Sequence, residues 1–152
     1  KNNNLDRFLY PIDQSTNFKK NKFFRKITKN KDKTLKILEV KGRKIEIENF
    51  YDKVIKFDFD ELCNRNLGSE DYISIAHNSE FIFILNLPNF NEDNSNQQQR
   101  FITLIDIIYE KKIPLMVTSH IDLDKINSSK NLIEPFKRTI SRLYELTSIN
   151  YK

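Results

Sequence analysis

The sequence predicts an α/β protein: a mainly parallel sheet flanked by helices, preceded by a β-hairpin and a basic helix. Three observations carry this. Residues 81–87 form a nearly unbroken apolar run of strand length, as expected where both faces of a strand are covered. In residues 97–111, Phe101, Leu104, Ile105 and Ile108 fall at i, i+3, i+4 and i+7, the single core-facing stripe of a helix. A second apolar run follows at 113–118, and strand, long helix and strand in that order imply a right-handed crossover between parallel strands.

The other elements follow in chain order. Ser15 or Thr16 is placed to cap a helix running to about Thr28, with Phe18, Phe23, Phe24 and Ile27 on one side and lysines elsewhere. Residues 34–40 and 43–48 are β-rich and separated by Lys41-Gly42, a tight hairpin signal in which Gly supplies positive φ. In the second run Ile45 and Ile47 alternate with Lys44, Glu46 and Glu48, so one face is buried and one solvated. Val54, Ile55, Phe57 and Phe59 form a further short strand leading into Glu61-Leu62-Cys63. Ser69 and Asp71 open a helix through Asn78 whose apolar side is Tyr72, Ile73, Ile75 and Ala76. Pro88 closes the central apolar strand, and a loop rich in Asn and Asp leads to the long helix. A last helix at 133–148 presents Phe136, Ile140, Leu143 and Leu146 to the core. The organisation is a basic helical lead-in over 1–33 and an α/β region over 34–152, within one domain or one half of a larger protein.

Composition bounds the function. A chain of 152 residues, 38% hydrophobic and 31% charged, can bury a sizeable core. Its longest apolar stretch falls well short of the roughly 20 residues that a bilayer-spanning helix needs. Residue 1 is Lys, and Lys1-Asn2-Asn3-Asn4 has no apolar signal core, so the chain reads as a fragment or processed product. The one cysteine, Cys63, fits a reducing compartment and reads as a small buried hydrophobe rather than a nucleophile. Basicity is concentrated early: residues 1–56 hold 16 Lys and Arg against 7 Asp and Glu, whereas 57–152 hold 10 against 14. Such asymmetry marks surfaces for nucleic acid or acidic lipid. Heavy use of Lys, Asn and Ile throughout is also what an AT-rich genome produces, so nucleic acid is not the favoured partner.

Few residues suggest chemistry. His77 and His120 lack Cys companions, so no metal site is expected; His120 follows directly after a strand, where ligands gather in open α/β sheets, although loop capping is its simpler use. Glu70 and Asp71 suit the first turn of a helix, where its dipole favours negative charge. Asp106 lies at the edge of an apolar stripe and reads as a hydrogen-bonding anchor more than a general base.

Several blocks, in order, resemble the C-terminal half of the ZapE-type cell division ATPases, relatives of the AFG-one-like ATPases in the AAA+ P-loop class. They are Gly42-Arg43, the run Phe57-Asp58-Phe59-Asp60-Glu61-Leu62-Cys63, Leu67-Gly68-Ser69-Glu70-Asp71-Tyr72 and Pro88. The stretch from Arg100 to Tyr109 and that from Phe136 to Tyr151 complete the set, covering about two thirds of the chain. Leu146 stands where the family pattern has Met, and Thr118-Ser119-His120 replaces a smaller, alanine-containing strand end.

The resemblance implies a P-loop NTPase fold of AAA+ type, ATP and Mg²⁺ as cofactors of a full-length parent, and a cytoplasmic location, or a mitochondrial one in a eukaryote. It implies self-association or docking against an N-terminal ATPase half, and a division-ring tubulin homologue as partner. The phosphate loop of such enzymes needs clustered glycines with Lys and Ser or Thr. This sequence has two glycines, Gly42 and Gly68, in unrelated contexts, and residues 81–85 lead into Asn86-Leu87-Pro88 where a Walker B strand would end in carboxylates. The expectation is therefore that ATP is bound and cleaved by a preceding half and that this fragment alone is inactive. Arg138 and Arg142, four apart on one helix face, are the candidate nucleotide-sensing residues, since AAA+ proteins often aim an arginine at a neighbouring subunit's γ-phosphate. The structural alternative pairs Glu134 with Arg138 and lays Arg142 over the strand edge. Three functions are compatible with these residues: the supporting half of an ATPase, which is favoured; a non-catalytic interaction domain derived from it; and a nucleic-acid-binding module using Lys19, Lys20, Lys22, Arg25, Lys26 and Lys29.

Overall fold

A computed structural model describes residues 7–151 and shows a mixed six-stranded sheet in the order β1-β6-β5-β4-β3-β2. The strands are β1 (Phe8–Leu9), β2 (Thr34–Val40), β3 (Arg43–Tyr51), β4 (Val54–Asp58), β5 (Phe81–Leu87) and β6 (Leu115–Ser119). The helices are α1 (Gln14–Ile27), α2 (Phe59–Cys63), α3 (Ser69–His77), α4 (Ser95–Glu110) and α5 (Ile133–Leu146). Strands β1, β6, β5 and β4 are parallel neighbours, and β3 and β2 extend the sheet antiparallel. Among the described residues no helix is long and apolar enough to cross a membrane. The residues at 1–4 read above for a signal core lie outside the described ones.

Side-chain alternation on β5 sets the layers. Ile82 and Ile84 face a core completed by Ile55, Phe57, Leu115 and Val117 of the neighbouring strands and by helices α2 to α5. Phe81 and Phe83 face the opposite way and join Val54, Met116 and Ile27 under α1. Phe23 and Phe24 of α1 lie against that pair, with ring centroids 5.4 Å from Phe81 and 5.3 Å from Phe83 respectively. Covering both faces explains why β5 is apolar at successive positions rather than at alternate ones. The long helix α4 buries its stripe of Phe101, Leu104, Ile105 and Ile108 as its spacing requires.

Local chemistry corrects several boundaries. Asp13, not Ser15 or Thr16, caps α1, accepting the Thr16 N–H at 2.9 Å. Phe18 is 62% exposed, because the α1 surface that meets the sheet is set by Thr16, Phe23, Phe24 and Ile27, nearly half a turn away from it. Phe59 belongs to α2, not to the strand before it. Asp58 accepts the Asp60 N–H while Glu61 accepts the Asp58 N–H at 2.8 Å, a reciprocal cap that starts the helix one residue earlier than β propensity suggests. On α3, Ile73 is exposed while Tyr72, Ile75 and Ala76 are buried. The hairpin turn has positive φ at both Lys41 and Gly42, the arrangement that matches strand twist in two-residue loops. β1, which the sequence reading did not anticipate, pairs with β6.

Arg7, preceding β1, is 6% exposed and closes the structure. Its guanidinium donates to the carbonyls of Leu146 and Thr147, both at 3.2 Å, and to that of Ile149, and it lies 5.4 Å from the Phe81 ring centroid. A cation is thereby placed at the negative end of α5, where last-turn carbonyls lack helical partners.

Replacing Phe83 by Ala should cost about 3–5 kcal/mol, as for other buried aromatics, whereas Phe18→Ala should stay within about 0.5 kcal/mol of the parent. Urea denaturation followed by circular dichroism checks this; equal losses at the two positions would contradict the assignment of faces.

Candidate functional site

The α4–α5 seam gathers the charged residues that the sequence singles out. Burial of Ile105 and Ile108 fixes the rotation of α4 and leaves Asp106 beside α5. Burial of Phe136, Thr139, Leu143 and Leu146 likewise fixes α5 and turns Arg138 and Arg142 toward α4. Both arginines meet the same carboxylate: Arg138 reaches Asp106 Oδ2 at 3.2 Å, and Arg142 donates to Asp106 Oδ1. The pairing proposed within α5 does not form; Glu134 instead pairs with Lys137 at 3.1 Å. A partner on the adjacent helix wins because Asp106 is held in place by its own helix's core packing, while Glu134 is 80% exposed.

The two arginines differ in what they leave available. The Arg142 side chain is 22% exposed and its guanidinium sits 4.4 Å from the Tyr109 ring centroid, a cation–π contact that adds to its ion pair. Tyr109 donates its hydroxyl to Glu145 at 3.0 Å, and Lys112 Nζ contacts both Glu145, at 2.9 Å, and the Tyr109 ring, at 3.5 Å. These donors, Lys112 first and then Tyr109, hold the Glu145 carboxyl below its ordinary range. Arg138 is 51% exposed and uses only Nε and Nη2 on Asp106, so N–H donors remain on its fork for an incoming anion.

The carboxyl ends of the parallel strands, where open α/β sheets take ligands, are occupied by local bonds. Asn86, with φ +66°, turns its backbone N–H to Thr118 Oγ1 at 2.9 Å and its side-chain amide to Asp58 Oδ1 at 2.6 Å. Asp58 is already the cap of α2, and Ser119 Oγ both donates to and accepts from the Ile121 backbone. His120 is exposed and joins the sheet end through its backbone N–H, which donates to the Leu87 carbonyl at 3.3 Å. Nearby, Tyr144 donates to Asp124, and burial together with that contact pushes its hydroxyl up to about 12. Among the described residues no group of three or more His, Cys, Asp or Glu is placed to hold a metal.

Cys63, Arg100 and Asp71 are explained by packing and by structural partners. Cys63 is fully buried, and that burial pushes its thiol up, away from the reactive thiolate. Arg100 donates to the Cys63 carbonyl at 3.0 Å, fastening α4 to α2. Asp71, 1% exposed, accepts the Gly68 N–H at 2.8 Å and pairs with Arg43 at 2.6 Å, so it ties α3 to the hairpin. His77 is exposed in the last turn of α3. A cleft of about 560 Å³ that the sequence reading missed runs along the first half of α5, between Phe90, Ile126, Ile133, Phe136 and Ile140.

These residues do not by themselves fit Mg²⁺-ATP. Gly42 forms a hairpin turn and Gly68 precedes α3, so neither belongs to a phosphate-cradling loop, and the Asp58 carboxylate at the sheet end is engaged on both oxygens.

Comparison with known proteins places the chain in one family. The family model described as AFG1-like ATPase matches residues 2–152. The chain is 24% identical over 144 residues to the cell division protein ZapE of Escherichia coli K12, covering 95% of this chain and 38% of that protein. It is 31% identical over 91 residues to lactation elevated protein 1 homolog B of Danio rerio, covering 60% of this chain and 18% of that one. An uncharacterized Schizosaccharomyces pombe protein, C115.02c, is 29% identical over 89 residues, which are 59% of this chain and 20% of its own length. The chain thus spans well under half of each of these relatives. No solved structure matches it at a significant level.

Asp106→Ala should lower stability by about 1–3 kcal/mol, because it strands the half-buried Arg142 charge, while Arg138→Ala should cost no more than about 1 kcal/mol. Chemical denaturation of the two variants decides it; a larger loss from Arg138→Ala would mean that the seam is not anchored through Arg142.

Proposed function

Because the chain belongs to the AFG1-like ATPase family, whose model covers residues 2–152, we propose that it is the C-terminal supporting part of an ATP-hydrolysing P-loop ATPase of AAA+ type. In this reading it completes the α/β sheet of the whole protein, supports subunit assembly and passes nucleotide state to a partner. The family match along nearly the entire chain carries the reading. Likeness over 95% of the chain to a protein named for cell division supports a role in division, with the division ring's tubulin homologue as the partner that the family implies. ATP and Mg²⁺ belong to the complete protein in the cytoplasm, or in a mitochondrion in a eukaryote, and are held by a phosphate loop outside these 152 residues.

Within that reading Arg142 is a positioning residue. Its contacts with Asp106 and Tyr109 hold the α4–α5 seam. Arg138, held by the same carboxylate yet half exposed, is the arginine offered to the phosphates bound by a neighbouring subunit. The engagement of both arginines by Asp106 also favours a second reading, a non-catalytic interaction domain in which they serve only to join two helices.

Purified 152-residue chain given Mg²⁺-ATP should release phosphate no faster than a buffer blank. In the full-length parent, Arg138→Ala should reduce ATP turnover at least about tenfold, equivalent to about 1.4 kcal/mol of barrier, while the melting temperature falls by no more than the few degrees that about 1 kcal/mol represents. Turnover by the short chain would overturn the reading. Unchanged turnover in the longer variant would leave the arginines a purely structural role, as the second reading has it.

A further inference from the structure

The outward side of α1 carries charge of one sign. With Phe23, Phe24 and Ile27 against the sheet, the opposite side of the helix is the line Phe18, Lys22 and Arg25, continued by Lys29 in the turn beyond its end, at i, i+4, i+7 and i+11. All four are exposed, Phe18 by 62%. Residues 14–31 contain no Asp or Glu, and among the described residues their one ion pair is that of Lys31 with Glu80. A second group of cations adjoins the helix on the sheet side. Lys56 of β4 lies 4.2 Å from the Phe24 ring centroid, and burial first, then the charges of Lys20 and Lys33, hold its ammonium below the usual lysine range. Among the described residues none of Lys20, Lys33 and Lys56 forms an ion pair.

We propose that this face of α1 binds the phosphate backbone of single-stranded nucleic acid, with Lys22, Arg25 and Lys29 on successive phosphates and Phe18 offering a ring on which a base stacks. Basic surfaces that also present aromatic rings bind single strands through the phosphates and by base stacking, largely without regard to sequence. A lipid surface is the poorer fit. A helix that lies in a membrane interface must bury its apolar face there, and the apolar face of α1 is already spent on Phe81, Phe83 and Tyr51. The AT-rich compositional account explains how many lysines the chain has; it does not explain an exposed aromatic aligned with three cations along the outermost line of a helix. The inference stands independently of the ATPase reading, since it uses neither the α4–α5 seam nor the sheet's carboxyl end.

The test is fluorescence anisotropy of a labelled single-stranded oligonucleotide titrated with the 152-residue chain at several salt concentrations. Binding should weaken steeply with salt. The triple variant Lys22→Gln, Arg25→Gln, Lys29→Gln should bind more than about tenfold more weakly, with a log–log salt slope shallower by about 2, three neutralised contacts at roughly 0.7 each. Phe18→Ala should weaken binding without changing that slope. These are exposed positions, and circular dichroism of each variant confirms that the fold is kept. No binding at about 50 mM salt, where phosphate contacts are strong, or binding that the triple variant leaves intact, overturns the proposal. Binding to phosphatidylserine vesicles with none to the oligonucleotide overturns it in favour of a membrane surface.

Discussion

The structure depends on one strand being buried on both faces. β5 has parallel neighbours on each side, and its consecutive side chains, Phe81 to Ile84, are all at most 1% exposed. That condition demands two layers of cover. Helices α2 to α5 supply one, and α1, arriving from the start of the chain, supplies the other. Fully burying such side chains stabilises the fold by about 1.5–3 kcal/mol each, so leaving either face open would expose several aromatic and aliphatic groups at once. Arg7 reinforces the arrangement by covering Phe81 while capping the carboxyl end of α5, which ties the first strand and the last helix to the same central element.

With the interior committed in this way, the groups left for function lie on the outside, and the packing decides which of them are free to act. Asp106 illustrates the point. One carboxylate between two guanidinium groups leaves the seam with a net positive charge, and the unequal exposure of Arg138 and Arg142 separates an available cation from a fixed one. At the sheet's carboxyl end the reverse holds. Asn86, Asp58, Thr118 and Ser119 satisfy one another or nearby backbone, so a location favoured for ligands in this class of fold serves to shape loops.

Much of this was legible in the residues, and the exceptions have physical causes. The unbroken apolarity of β5, the stripe of α4 and the alternation of Ile45 and Ile47 each report a burial geometry directly, because the period of the pattern is the period of the element. The Lys41-Gly42 turn was equally plain. β1 escaped because two residues have no period to detect, and its place in the sheet comes only from pairing with β6, more than a hundred residues later. Phe59 misled because an aromatic after a strand looks like its continuation, although the Asp58 to Glu61 spacing spells a reciprocal helix cap. Phe18 and Ile73 read with the apolar sides of their helices because they are apolar, yet their angular positions turn them outward and both are exposed. The seam could not be read at all. Asp106 and Arg138 are 32 residues apart, and their meeting follows from how two separate helices rotate their apolar sides inward.

α1 is an integral layer of the sheet, so the basic helix and the α/β region form one folded unit. Hydrogen exchange of the native chain measures this most directly. The account predicts that the amides of Phe23, Phe24 and Ile27 in α1 share the slow exchange of Phe81 to Ile84 in β5 and open with the same free energy as global unfolding. Exchange of α1 at the rate of a frayed segment, with β5 still fully protected, would contradict it.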